Sequence, residues 1–198
     1  MKDTLAVSVT VVSVDGQPIV TGAKLPLVPH ATFAKAPVPD LLWVPGGEIG
    51  PLKRTMGDAT YLGYIRSWAK VATYVCSVCE GALLLASAGL LDGYRATTHW
   101  AFIPCLAAYP RIRVVPGFPR FVVNRRIDAK RRKRFVVTGG GISSGLDEGL
   151  ELIRLIAGKK VAESVQSTTQ YFPKPPVNGK LTPATSCPLD DPDPTLRA

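Results

Sequence analysis

Histidine is nearly absent from this sequence: 198 residues contain only His30 and His99. Neither stands at ligand spacing from another histidine or a cysteine pair, which argues against a zinc centre built on them. Cysteine is sparse too, with Cys76, Cys79, Cys105 and Cys187. Four in a chain of this length do not make a disulfide-dense secreted scaffold, and the opening Met1–Val9 lacks the basic-then-apolar pattern of a signal peptide. No apolar run approaches the length needed to span a bilayer. These absences predict a soluble, intracellular (cytoplasmic) protein with reduced thiols and no membrane partner. The Gly-x-x-x-x-Gly-Lys spacing of a phosphate-cradling loop is missing as well. Acidic residues are few: 15 against 24 Lys and Arg leave a net charge of +9 and a pI near 9.6. Such a balance fits a polyanionic partner, but it is more often a property of the surface alone.

What is present suits one well-cored domain, since 46% of the residues are hydrophobic. Leu5–Val14 alternates apolar with smaller or polar residues, as a strand does. Leu41–Val44 is a short apolar strand closed by Pro45-Gly46-Gly47. Tyr61, Leu62, Ile65, Trp68 and Ala69 recur at helical spacing. Val71–Ser77 reads as a further strand, and Gly81–Leu90 as a short apolar helix. Strand-like pieces follow at Arg95–Thr98, Ile112–Val115, Phe121–Asn124 and Phe135–Thr138. Ser143 or Ser144 can cap a helix carrying Asp147 and Glu148 in its first turn, with Leu146, Leu150, Ile153 and Ile156 as its buried stripe and Gly158 as its stop. From Tyr171 the chain is rich in proline and polar residues, with little regular structure expected. Alternating strands and helices predict a layered α/β domain with a mainly parallel sheet over residues 1–176, followed by a Pro-rich tail over 177–198.

The chemistry concentrates in Tyr74-Val75-Cys76-Ser77-Val78-Cys79-Glu80-Gly81-Ala82. An apolar strand runs into a small-residue turn and then a helix, with Cys79 at the joint. That is the pattern of a nucleophile elbow, and a thiol at a helix N-terminus feels the positive end of the dipole, which favours the thiolate. A buried core cysteine fits the same spacing. Cys76 and Cys79 also form a Cys-x-x-Cys, but no thioredoxin-like context or second ligand pair accompanies it, so Cys76 reads as core. Gly46 and Gly47 expose backbone N–H groups at the same sheet edge, where they can hold developing negative charge. Gly139-Gly140-Gly141 forms a third turn on that edge. Arg125–Arg134 is strongly basic and sits between two strand-like pieces, as the tip of a hairpin. No aromatic is interleaved to stack on bases, so a solvated turn is favoured over nucleic-acid binding.

Leu42-Trp43-Val44-Pro45-Gly46-Gly47, then Ser77-Val78-Cys79-Glu80-Gly81-Ala82, then Ala88-Gly89-Leu90-Leu91-Asp92-Gly93 leading into Arg95-Ala96-Thr97-Thr98-His99-Trp100, resemble the ThiJ/PfpI superfamily. Gly141-Ile142-Ser143-Ser144-Gly145-Leu146-Asp147 and Gln170-Tyr171-Phe172-Pro173-Lys174-Pro175-Pro176 point, within it, towards its isocyanide hydratases. The resemblance runs from about Val7 to Asn178. It implies a flavodoxin-like three-layer sandwich, usually a homodimer, with no metal or organic cofactor and a small-molecule substrate. It also implies that the thiolate attacks the isocyanide carbon to give a thioimidate, which water opens to an N-substituted formamide. Cys79 would then be the nucleophile, Gly46 or Gly47 would hold the polarised group, and His99 would line the site.

Two departures stand out. Members of the superfamily begin with a central strand and an acidic residue that contacts the nucleophile; this sequence begins, by pattern, at the second strand. Unpaired backbone and an open core face are therefore expected, from a chain short at its N-terminus, unless another segment fills the gap. The residue after the nucleophile is Glu80, where hydratases commonly carry Thr and PfpI proteases His. Absence of the His argues against a Cys-His protease. Glu80 is the candidate acid that hands a proton to the substrate carbon; as a helix-capping carboxylate alone it would raise the thiol pKa. A non-catalytic ligand-sensing or interaction domain and a relative with a redox-sensing thiol acting on reactive carbonyls are the competing readings. Some relatives are the sensor half of transcription regulators with a C-terminal helix-turn-helix domain; here a Pro-rich tail follows Asn178.

Overall fold

The computed structural model describes residues 6–128 and 130–190. The first described segment forms small ladders: β1 (Val12–Ser13) pairs in parallel with β4 (Ala31–Thr32), and β2 (Ile19–Val20) antiparallel with β3 (Pro26–Leu27). The strand expected over Leu5–Val14 shrinks to two residues; Leu5 itself lies outside the described residues. Its alternation is real, but Val7 and Val9 remain 68% and 73% exposed because no layer packs on them. None of residues 6–14 enters the central sheet.

That sheet begins at β5 (Leu41–Val44), followed by α1 (Ile49–Gly57) and α2 (Ala59–Ala69). Asp58 starts α2 by accepting hydrogen bonds from the backbone N–H groups of Thr60 and Tyr61. Next come β6 (Tyr74–Ser77), α3 (Gly81–Ser87), β7 (Arg95–Ala96), a 3₁₀ turn (Trp100–Phe102), α4 (Ile103–Ala107) and β8 (Arg113–Val114). The hairpin β9 (Phe121–Ile127) and β10 (Lys133–Gly139), then α5 (Ser144–Ala157) and α6 (Lys159–Thr168), complete the domain. The central sheet has the order β5-β6-β10-β9, with β5, β6 and β10 parallel and β9 antiparallel. Together with the flanking helices this is a flavodoxin-like α/β sandwich. Its β5 edge pairs with no other strand among the described residues.

Strand alternation assigns the two faces. Leu42, Val44, Val75 and Val136 point into the larger core, packed with α1 to α4. Cys76, Phe135 and Val137 point the other way, onto Leu152 of α5, so Cys76 is a core residue. The stripe expected on α5 is displaced by about one helical step. Its buried residues are Ser144, Glu148 and Leu152, whereas Leu146 and Ile156 are exposed. An apolar stripe read at helical spacing does not say which flank of it meets the sheet. Leu146 instead lines a groove with residues of α6 and the Tyr171–Pro175 segment.

The tail from Tyr171 is largely irregular, with one 3₁₀ turn at Pro188–Asp190 among the described residues. It is nevertheless tethered. Cys105 of α4 and Cys187 form a disulfide across 82 residues of sequence, and Cys187 and Leu189 pack against the larger core. This corrects the expectation of four reduced thiols: Cys76 and Cys79 alone are free. The sequence hid the pairing because the partners are brought within reach only by the return of the tail along α1 and α4. No helix of the described residues is long and apolar enough to cross a membrane.

Candidate active site

Cys79 stands between β6 and α3 with φ +58°, a left-handed conformation that is costly for any residue with a Cβ. The surrounding backbone holds it there. The Cys79 N–H donates to the carbonyls of Gly140 and Gly139 at 2.7 and 3.2 Å, and the Val78 N–H to Val44 at 3.2 Å. The Cys79 carbonyl accepts from the buried hydroxyl of Thr98 at 2.8 Å, and the Thr97 N–H donates to the Thr138 hydroxyl at 3.0 Å. The Thr97-Thr98 pair is thus a clamp on the elbow. Sequence reading singled out that block without assigning it a task, since its partners are a carbonyl and a distant strand.

Two glycines are required by close packing here. A Cβ on Gly81 would collide with the Val44 carbonyl and lie 2.9 Å from that of Pro45. Gly81→Ala is therefore expected to cost roughly 3 kcal/mol, the upper end of overpacking, because both obstacles are backbone. Urea denaturation would measure it; a loss below about 1 kcal/mol would contradict the packing. A Cβ on Gly46 would collide with Glu80 Oε2 and come 3.0 Å from the Cys79 Cβ, so the Pro45-Gly46 turn closes directly on Cys79 and Glu80. Gly47 behaves differently: nothing lies within 4 Å of the position its Cβ would take.

The thiol is not poised as its helix position implied. Burial, with Cys79 only 9% exposed, together with a hydrogen bond and the negative charge of Glu80, pushes Cys79 up to about 12. A helix dipole contributes some 0.3–1 kcal/mol. Desolvation, the largest cause, and the adjacent carboxylate act in the opposite direction and leave a net rise. Burial and the adjacent carboxylate therefore win, and the resting group is a neutral thiol beside Glu80. Glu80 is itself buried and precedes α3 without capping it through its side chain.

His99 accepts a hydrogen bond at Nδ1 from the Ala101 N–H (3.3 Å) and packs on Trp100 and Phe102. Its ring lies beside Gly141, 3.1 Å from where a Cβ would sit. The structure thus brings Cys79, Glu80 and Gly46 together, places His99 as a packed cap beside the third glycine turn, and leaves Gly47 facing open space. Among the described residues no group of three His, Cys, Asp or Glu gathers as a metal site. A concavity of about 1000 Å³ between α5, α6 and Tyr171–Pro175 is lined by none of these residues.

One acid read from the sequence as a first-turn helix residue is buried instead. Glu148 of α5 is fully buried, lies against Gly139, and neither carboxylate oxygen has a hydrogen-bond partner; the buried Ser77 hydroxyl is also unpartnered. Burial pushes Glu148 up to about 8; burial, and after it the Glu148 carboxylate, pushes the Cys76 thiol up.

A strained cysteine at a strand-to-helix joint, above the carboxyl ends of parallel strands, defines a class of α/β proteins with a nucleophile elbow. Comparison with known proteins makes the assignment specific: the chain belongs to the DJ-1/PfpI family, whose sequence profile matches residues 3–117. It is 40% identical over 187 residues to an isonitrile hydratase of Pseudomonas putida, covering 93% of this chain and 75% of that protein. It is 30% identical to the HTH-type transcriptional regulator GbdR of Pseudomonas aeruginosa, covering 80% of this chain but 40% of the regulator. A crystal structure of a ThiJ/PfpI family protein from Pseudomonas syringae superimposes with a TM-score of 0.74 at 34% identity, over 86% of this chain and 66% of that one.

Proposed function

We propose that the chain is a cysteine-dependent hydratase, a hydro-lyase that converts an isocyanide to an N-substituted formamide. The observation that carries this reading is the Cys79–Glu80 pair, a cysteine in a left-handed conformation next to a buried carboxylate, with both packed against Gly46. The 40% identity to an isonitrile hydratase supports it. An isocyanide offers a slim terminal carbon that accepts both a nucleophile and a proton, which suits a thiol only 9% exposed. As sulfur bonds to that carbon, Glu80 takes the thiol proton and returns it to the same carbon, giving a thioimidate. Water then adds to the thioimidate carbon, the nitrogen is protonated, and the carbon–sulfur bond breaks to release formamide and free thiol. One water is consumed for each isocyanide, and no redox partner is needed. Backbone N–H groups of the Gly46 turn would face the polarised substrate, with His99 at the wall. Action as a cytoplasmic homodimer on a small-molecule substrate belongs to the same proposal.

Incubation with cyclohexyl isocyanide tests it: N-cyclohexylformamide should accumulate, and rapid acid quench should trap an adduct on Cys79 by peptide mass. No formamide, or an adduct elsewhere, would remove the reading. A second reading, a ligand-sensing domain without catalysis, draws on the likeness to a transcriptional regulator and on the neutral resting thiol. Its signature is saturable isocyanide binding with neither product nor adduct.

A further inference from the structure

The run Arg125–Arg134 carries seven Lys and Arg residues and plays no part in the chemistry above. Folding into β9 and β10 places Arg126 directly across from Arg134, and like charges facing each other in a ladder are unfavourable. Arg134 is committed internally. Its guanidinium donates to the carbonyls of Lys70 and Val71 (2.6 Å each) and of Ala72, holding the C-terminal end of α2. Residues on both sides of the hairpin tip border an open pocket of about 400 Å³ at this end of the sheet. Lys70, Arg126, Lys130, Arg132 and Arg134 line it, with Asp128 as its one carboxylate.

Asp128 offsets part of this charge through Arg132 and Arg134 and leaves the pocket lining with a cationic excess. It already accepts from the backbone N–H groups of Lys130 and Arg132 at 2.9 Å, from Arg132 Nε at 2.9 Å and from Arg134 Nε at 3.3 Å. Arg126 donates to the Tyr94 hydroxyl at 3.3 Å and feels the Asp128 carboxylate at longer range. A concavity with an excess of positive charge over apolar side chains concentrates anions, and guanidinium forks match phosphate oxygens. The floor here is apolar, formed by Val75, Leu90 and Val136 beside Tyr94. Charge at the rim and carbon at the base fit an anion with a compact apolar body. A nucleic-acid strand needs an extended track with stacking aromatics instead.

We propose that this pocket is a second ligand site, for a small organic phosphate monoester whose phosphate meets Lys70, Arg126, Lys130 and Arg132 while its apolar body rests on Leu90 and Val136. The pocket flanks the N-terminal ends of β6 and β10, whereas Cys79 lies beyond the C-terminal end of β6. The two sites are therefore at opposite ends of the sheet. The site stands independently of the hydratase reading.

Calorimetric titration of the full chain with phenyl phosphate, inorganic phosphate, phenol and an oligothymidylate tests the idea. Phenyl phosphate should bind at least about tenfold more tightly than phosphate or phenol, and the double variant Lys130→Gln/Arg132→Gln should weaken it by about tenfold or more. Both side chains are at the exposed tip; Lys70→Gln, on a different element, should act in the same direction should the double variant misfold. Binding should persist in Cys79→Ala, which separates it from any effect at the elbow. Equal affinity for phosphate and phenyl phosphate, indifference to these charge changes, tighter binding of the oligothymidylate, or loss in Cys79→Ala would each overturn the proposal.

Discussion

Cys79→Ala is expected to reduce isocyanide hydration to background, whereas Glu80→Gln should slow it by a factor on the order of 10² to 10⁴, the usual reach of a positioned proton-transfer group. The second variant carries the sharper information because two readouts move in opposite directions. Both the hydrogen bond and the charge of Glu80 raise the Cys79 thiol, on top of burial. Glutamine removes the charge, so the thiol pKa should fall while staying above that of an exposed cysteine, since desolvation remains. Alkylation of Cys79 by iodoacetamide near neutral pH should therefore accelerate in Glu80→Gln even as hydration falls. A merely structural Glu80 would not produce that crossing. Full hydration activity in Glu80→Gln would exclude Glu80 as the proton carrier, and unchanged alkylation would refute its electrostatic hold on the thiol.

Glu148→Gln is expected to stabilise the protein at alkaline pH and to leave it little changed in acid. The carboxyl is raised from 4.5 to about 8 by burial, so the folded state favours its protonated form. Its contribution is fully retained below the unfolded value, is lost as pH rises towards about 8, and is constant above that. The shift corresponds to an upper bound of roughly 4–5 kcal/mol across this window, or on the order of 10 °C in melting temperature for a chain of this size. Glutamine keeps the shape and cannot ionise. Melting curves of both proteins at about pH 5 and about pH 9 check this linkage. Parallel pH dependence in wild type and variant would show that Glu148 does not titrate in this range.

Much of this protein is legible along the chain. The apolar runs at Leu41–Val44 and Tyr74–Ser77, the glycine turns after them and the Cys79 joint follow from local preferences: a four-residue apolar run bounded by small residues has few ways to fold. The basic run between two strand-like pieces likewise reads as a hairpin tip, and β9 and β10 extend into it. The helices over Ile49–Gly57 and Lys159–Thr168 were less visible, because Pro51 interrupts one and the other is polar on most of its surface.

Sequence alone determined the layered fold, the elbow, and the nearness of Glu80 to Cys79, since adjacent residues cannot separate. Tertiary structure decided what is not local. It turned α5 so that Glu148 and Leu152, rather than Leu146 and Ile156, meet the sheet. It brought Cys187 to Cys105 over 82 residues and Thr98 to the Cys79 carbonyl over 19. It also set the state of the thiol. The helix dipole is a property of sequence-local geometry, but burial depends on every segment that covers the elbow, and here burial together with Glu80 is the stronger influence.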